Sequence, residues 1–163
     1  ENRKEEGLAL RQPIRDNITY SSLPRFAGVA GRIDERRETA AAVECAQQVN
    51  LRFNHLLDPV SSLSGGNQQK AALARLIADE SRVLLLDEPT RGIDVGSKAE
   101  IYGWIGRMAA RGCGIIMVSS YLPELIGICD TLAVMFRGIL SPIKPIGQWT
   151  QESIMRWATT GRF

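Results

Sequence analysis

Leu63-Ser64-Gly65-Gly66-Asn67-Gln68-Gln69-Lys70 opens the segment that decides the fold, which continues through Val83-Leu84-Leu85-Leu86-Asp87-Glu88-Pro89-Thr90 to Gly92-Ile93-Asp94. Ser64 is a good helix N-cap, and the two glycines after it leave their amides uncovered. Leu73, Leu76 and Ile77 supply an apolar face at helical spacing. Such a helix start suits an anion, because its N–H groups and the helix dipole both favour negative charge. Val83 to Leu86 is an uninterrupted apolar run, too short for a helix, that stops at two carboxylates and a proline. It reads as a buried parallel strand. That strand delivers Asp87 and Glu88 to its C-terminal tip, where open α/β sheets bind ligands. An anion site and a carboxylate pair joined by one helix suggest nucleoside triphosphate chemistry.

The 163 residues allow one domain at most, and 44% hydrophobic residues suffice for a sizeable core. With a net charge of +2 and interspersed signs, nothing argues for a nucleic-acid partner. Arg32, Arg36 and Arg37 alternate with Asp34, Glu35 and Glu38, as expected of a solvated helix face. Cys45, Cys113 and Cys129 are widely spaced, odd in number and free of a CxxC pattern, which favours structural thiols in a reducing cytosol. No apolar run approaches the ~20 residues of a membrane helix, and no signal peptide opens the chain. Membrane association is therefore expected to pass through a partner. The sequence starts at Glu1 without methionine and within a recognisable pattern, so it reads as a fragment.

Along the chain, Glu1 to Leu8 is polar and reads as a loop. A short helix is expected to begin near Pro13, followed by a loop broken by Pro24, Gly28 and Gly31. Asp34 caps a longer helix reaching about Val49, with Ala40, Val43, Ala46 and Val49 on one face and Asn50 as its stop. After the Asp87 strand, Ser97 to Arg111 is helical, with Ile101, Trp104, Ile105 and Met108 as a core stripe and Gly112 as a stop. Ile115 to Val118 is a second buried strand, Leu122 to Cys129 a short helix, and Thr131 to Phe136 a third strand turned back by Arg137-Gly138. Thr150 caps a terminal helix, Gln151 to Thr160. Strands alternating with helices imply a parallel sheet.

The ordered set resembles the ABC-transporter ATPases: Leu63 to Gln68 their signature, Val83 to Glu88 their Walker B strand, and the residues around Asp94 their D-loop. Asn67-Gln68-Gln69-Lys70 and Pro89-Thr90-Arg91-Gly92-Ile93-Asp94-Val95-Gly96 are similar to the monosaccharide importers of the ribose and galactose type, as is Glu1 to Leu8. The resemblance implies a partial P-loop NTPase (ABC ATPase) fold of the α/β class, with a parallel sheet flanked by helices and an α-helical signature subdomain. It divides the chain into residues 1–81, the helical subdomain, and residues 82–163, the RecA-like α/β part with the C-terminal helix. It also implies the C-terminal part of a second nucleotide-binding half. The implied cofactors are ATP and Mg²⁺. The implied partners are transmembrane permease subunits, a second ABC half and, indirectly, a periplasmic sugar-binding protein, at the cytoplasmic face of the bacterial inner membrane.

What the resemblance implies for residues follows the motifs. Asp87 would hold Mg²⁺, directly or through water, and Glu88 would orient or deprotonate the water attacking the γ-phosphate. Because successive strand residues point to opposite faces, the two carboxylates are expected to have separate jobs. Ser64, Gly65 and Gly66 would bind the γ-phosphate of ATP held by the other half. Gln68 reaches the ribose or phosphates, or remains a surface glutamine. Asp94 speaks across the dimer interface, or simply forms a turn.

The chain also departs from the pattern. No G-x-x-x-x-G-K-[ST] occurs, so the P-loop and its strand are missing. Ser120 stands where most ABC ATPases carry a switch histidine, and the one histidine, His55, reads as a surface residue. On this reading Glu1 occupies the place of the γ-phosphate-sensing glutamine. These departures keep a second reading open, a non-catalytic half that only completes a partner's site. A DNA-associated ABC ATPase is a remoter third, since those proteins insert long coiled coils and no sustained heptad pattern is present.

Overall fold

The computed structural model describes residues 7–162. The described residues fall into two compact units, divided after Val118.

The first unit opens with α1 (Ile14–Thr19), entered from Pro13 and continued by a 3-10 stretch, Tyr20–Phe26. Asn17 fixes the loop before it: its side-chain amide donates to the carbonyls of Ala9 and Pro13 and its oxygen accepts from the Ala9 amide. Next comes α2 (Glu35–Gln48), capped by Asp34, which accepts from the amides of Arg36 and Arg37. Asn50 then takes a left-handed backbone, φ 51°, and ends it as expected. Helix α3 (Gly65–Ala78) starts at Ser64. These three helices pack on one another, with Ile14, Ile18, Ala42, Ala46, Ala71, Leu73 and Ala74 between them.

The expected face of α2 is buried at Ala46 and Val49 and half-buried at Val43, but the buried side is turned from it at the start of the helix. Ala40 is exposed, whereas Glu38, Ala42, Cys45 and Ala46 are inside. Glu38 belongs to no solvated face: it is 3% exposed, accepts from the Thr19 hydroxyl at 2.7 Å and lies 3.6 Å from the Arg15 guanidinium. A buried carboxylate is tolerable where a cation and a donor meet it.

Strand β1 (Val83–Asp87) pairs in parallel with β2 (Gly114–Val118), Leu85 opposite Ile116 and Asp87 opposite Val118. Between them runs α4 (Val95–Ala110), which begins at Asp94, earlier than its apolar stripe indicated. Ile101, Trp104 and Ile105 are buried as expected. The apolar run of β1 is not buried on both faces, however. Leu84 and Leu86 are inside, while Val83, Leu85, Ile116 and Val118 are all more than half exposed.

In the second unit, α5 (Leu122–Ile128) precedes four two-residue strands: β3 (Thr131–Leu132), β4 (Met135–Phe136), β5 (Ile139–Leu140) and β6 (Lys144–Pro145). The third strand expected over residues 131–136 is thus broken, its halves pairing antiparallel with β6 and β5. Arg137 and Gly138, both at positive φ, make the tight turn that brings β5 back on β4. Helix α6 (Gln151–Thr160) has Thr150 and Ser153 in a reciprocal cap, and Leu132, Trp149 and Ile154 form the local core.

Candidate functional site

The two glycines after Ser64 serve different ends. Ser64 takes an extended backbone and its hydroxyl accepts from the amide of Asn67 at 3.4 Å and from the Asn67 side-chain amide at 3.2 Å. Ser64 and Gly65 are exposed, and Gly66 is buried. A Cβ on Gly66 would come within 2.7 Å of Ser97 Oγ and 3.4 Å of an Asp94 carboxylate oxygen. Glycine at 66 therefore lets the start of α3 touch the start of α4. A Cβ on Gly65 would meet nothing within 4 Å. The chain's own packing gives no reason for glycine at 65; close approach by something outside the chain gives one.

Asp94 caps α4. One of its oxygens accepts from the Ser97 amide at 2.9 Å and the other from the Ser97 hydroxyl at 2.7 Å. These two donors hold its carboxyl below the usual carboxylate range. Sequence reasoning passed over Asn67 and Ser97, although each stands three residues beyond a capping residue, the spacing at which a side chain or amide meets the cap.

Asp87 is exposed at the C-terminal tip of β1, as expected. Glu88 has already left the strand. Its φ is 47°, its amide donates to the Val118 carbonyl at 2.8 Å, and its carbonyl accepts from the Arg91 amide. Strand alternation therefore does not set the two carboxylates apart; a left-handed turn does. For a side chain as large as glutamate that backbone is costly, and here the bond to β2 and the buried Pro89 and Thr90 hold it. Among the described residues no three His, Cys, Asp or Glu gather into a metal cage. Mg²⁺ does not require one: it binds through one or two carboxylates, waters and substrate phosphates, and a lone exposed carboxylate at a strand tip fits that mode.

The remaining candidates lie elsewhere. The Gln68 side-chain amide donates to the carbonyls of Leu63 at 3.0 Å and Val60 at 3.4 Å, so its nitrogen braces the turn before α3. Ser120 is exposed in the bend after β2 and belongs to the second unit. His55 is exposed, its amide donating to Asp58. Glu1 lies outside the described residues. Burial pushes the Cys45 and Cys129 thiols up, which suits structural roles.

Two cavities in the first unit, of about 610 and 730 Å³, are lined by neither Ser64, Asp87, Glu88 nor Asp94. Of the candidate residues, packing at Gly66 brings together the Ser64 turn and the Asp94 cap; Asp87 stands separately, exposed at the tip of β1.

The chain is 44% identical over 161 residues to a ribose import ATP-binding protein of Hahella chejuensis and 45% identical over 159 residues to one of Ruegeria sp.. These matches cover 99% and 98% of this chain but 32% and 31% of the relatives, so the chain spans about a third of their length. Among solved structures, a metal-chelate type ABC transporter in an inward-facing conformation matches with a TM-score of 0.75 at 18% identity, over 92% of this chain and 58% of that one. An ATP-binding cassette dimer in a post-hydrolysis state, bound to ADP and Pi, matches with a TM-score of 0.72 at 20% identity, over 85% of this chain and 59% of that one. The family described as ABC transporter matches residues 3–91, which include the Ser64 turn and the Asp87 strand, and the chain belongs to that family.

Proposed function

We propose that the chain contributes to ATP sites in the energising subunit of a monosaccharide ABC importer, as the C-terminal part of its second nucleotide-binding half: its Ser64 turn completes the site of a partner half and its Asp87 strand belongs to its own. The observation that carries this reading is the exposed Ser64–Gly65 turn, with a glycine that internal packing does not require, in one unit with a strand ending in exposed Asp87. Residues 1–81 serve as the helical subdomain that meets the permease, and residues 82–163 as the α/β part.

On this reading Ser64 and the Gly65 and Gly66 amides face the γ-phosphate of ATP held by a partner half. Hydrogen bonds to charged groups contribute about 1.5–3 kcal/mol each. Loss of translational and rotational freedom costs roughly 4 kcal/mol or more. A few such bonds leave little surplus, so this edge closes over a nucleotide gripped elsewhere and does not capture one unaided. Asp87 would hold Mg²⁺, which when bound offsets the charge building up on the phosphates. Glu88, fixed by its left-handed turn, orients the water or accepts its proton. Gln68 shapes the turn and Asp94 keeps the neighbouring helix start in place. At the cytoplasmic face of the membrane the chain meets permease subunits, on which a periplasmic sugar-binding protein acts from the other side. The ribose import proteins that the chain resembles suggest a monosaccharide as the cargo.

Ser120 favours a second reading, in which this half completes a partner's site without hydrolysing ATP at its own, because a hydroxyl cannot carry the charge of an imidazolium. One experiment separates the two. In the full-length importer ATPase, Glu88→Gln should reduce ATP turnover at least about a hundredfold while ATP binding persists, if Glu88 acts as base. Unchanged turnover would leave the half regulatory. Loss of ATP binding in the wild-type protein would end both readings.

A further inference from the structure

We propose that buried Lys70 and half-buried Glu100 form a clamp that locks α3 to α4, so that the Ser64 turn and the Asp94 turn meet the nucleotide as one rigid edge; this rests on the function proposed above. Lys70 is 4% exposed and lies on the packed side of α3, with Leu73 and Ala74. Its ammonium pairs with the Glu100 carboxylate on α4 and donates to the Asn50 carbonyl at 3.2 Å. The end of α2, the second turn of α3 and the second turn of α4 thus converge on one cation.

What the charge contributes is direction. An apolar side chain of similar volume would fill the space as well, and often with more stability, because the pair has to offset the desolvation of the Lys70 ammonium. An ammonium held by a carboxylate and a carbonyl is satisfied at only one placement of α3 on α4, and a methionine would tolerate several. Two other contacts reinforce that placement. Gly66 abuts Ser97 and Asp94 at the helix starts. Asn67 donates to Ser64 and accepts from the Arg52 amide at 3.1 Å, tying the signature turn to the segment that Lys70 also holds. Ser64, Asn67, the 50–52 segment, Lys70, Glu100 and the start of α4 make a closed ring of contacts. Lys70 and Glu100 are positioning residues in this scheme, for neither belongs to the exposed edge.

The test compares Lys70→Met, Lys70→Arg, Glu100→Gln and the apolar double variant Lys70→Met with Glu100→Leu, in the full-length importer ATPase assembled with its permease. ATP turnover against ATP concentration and the melting temperature are recorded for each. A clamp predicts that Lys70→Met and Glu100→Gln lower kcat roughly ten- to hundredfold, the scale of a small misplacement, with KM for ATP nearly unchanged. Lys70→Arg recovers most of the loss. The double variant regains its melting temperature but not its kcat. Recovery of kcat together with the melting temperature in the double variant would overturn the proposal, as would a change confined to KM. A Ser64→Arg control isolates the other reading: if it leaves turnover at the wild-type rate, the proposed function fails. The clamp is then judged by hydrogen exchange in Lys70→Met. Joint loss of protection at Gly66 and Asn67 and at Ser97 and Lys98 supports it, and loss at only one of the two turns overturns it.

Discussion

Gly65 and Gly66 separate what a residue does for the chain from what it does for a ligand. Gly65→Ala should leave stability almost unchanged, since a methyl there meets nothing within 4 Å. Turnover of the full-length ATPase should nevertheless fall if phosphates approach that backbone, and unchanged turnover would count against the signature role. Gly66→Ala should do the reverse first: its methyl displaces Ser97 Oγ from Asp94, at a cost of about 1–3 kcal/mol in urea unfolding. Asp94 offers a pH signature. Because its folded carboxyl lies below the ordinary 3.8, its contribution to the cap is complete above that value and disappears as pH falls through the lower, folded one. Following the Ser97 amide by NMR from about pH 5 to about pH 2 should show a shift only at the acid end, and Asp94→Asn should abolish it. The capping role was open to sequence reasoning, since Asp94-Val95-Gly96-Ser97 has N-cap spacing, but the resemblance to a dimer-contact loop drew the reading elsewhere. Lys70 carried a signal too: a cation three and four residues before Leu73 and Ala74 lies on the apolar stripe and needs a partner.

Helix ends were legible because their chemistry is local. Asp34, Ser64 and Thr150 cap where expected, and Asn50 and Gly112 stop the chain at positive φ. What failed was decided by contacts distant in sequence. The face of α2 turns inward at Glu38 because Arg15 and Thr19 of α1 await it there, and no periodicity in residues 35–48 reports that. Glu38→Ala should therefore cost about 1–3 kcal/mol, chiefly by leaving the buried Thr19 hydroxyl without its acceptor, since Arg15 keeps Asp16 at 3.0 Å. Glu38→Gln, which keeps an acceptor for Thr19, should cost less; equal effects in denaturant melts would show that the acceptor contributes nothing. The third strand failed for a related reason. Residues 131–136 have the composition of one strand, yet Val134 exchanges backbone and hydroxyl hydrogen bonds with Ser141 across the Arg137–Gly138 turn, and the hairpin takes the second half. A local turn outcompeted the longer-range pairing.

At the scale of the molecule, the α/β class and the family were legible because the motifs lie in order along 32 residues, from Leu63 to Asp94. The sheet was legible only in part, since an apolar run does not say whether both faces are covered. Here Val83, Leu85, Ile116 and Val118 make a strip that faces solvent, 59% to 73% exposed. Such a surface favours self-association. The chain by itself should bind hydrophobic dyes and sediment as oligomers, and Leu85→Thr with Ile116→Thr should reduce both without unfolding β1; a monodisperse wild-type chain would refute this. The strip also bears on the chain's fate in a cell. Val83 and Leu85 on one strand and Ile116 and Val118 on its neighbour make a patch of the kind chaperones and proteases engage, so the lifetime of the chain is expected to lengthen once another layer shields it. Abundance, and not ATP affinity, would then be the first property to respond when that shielding is weakened.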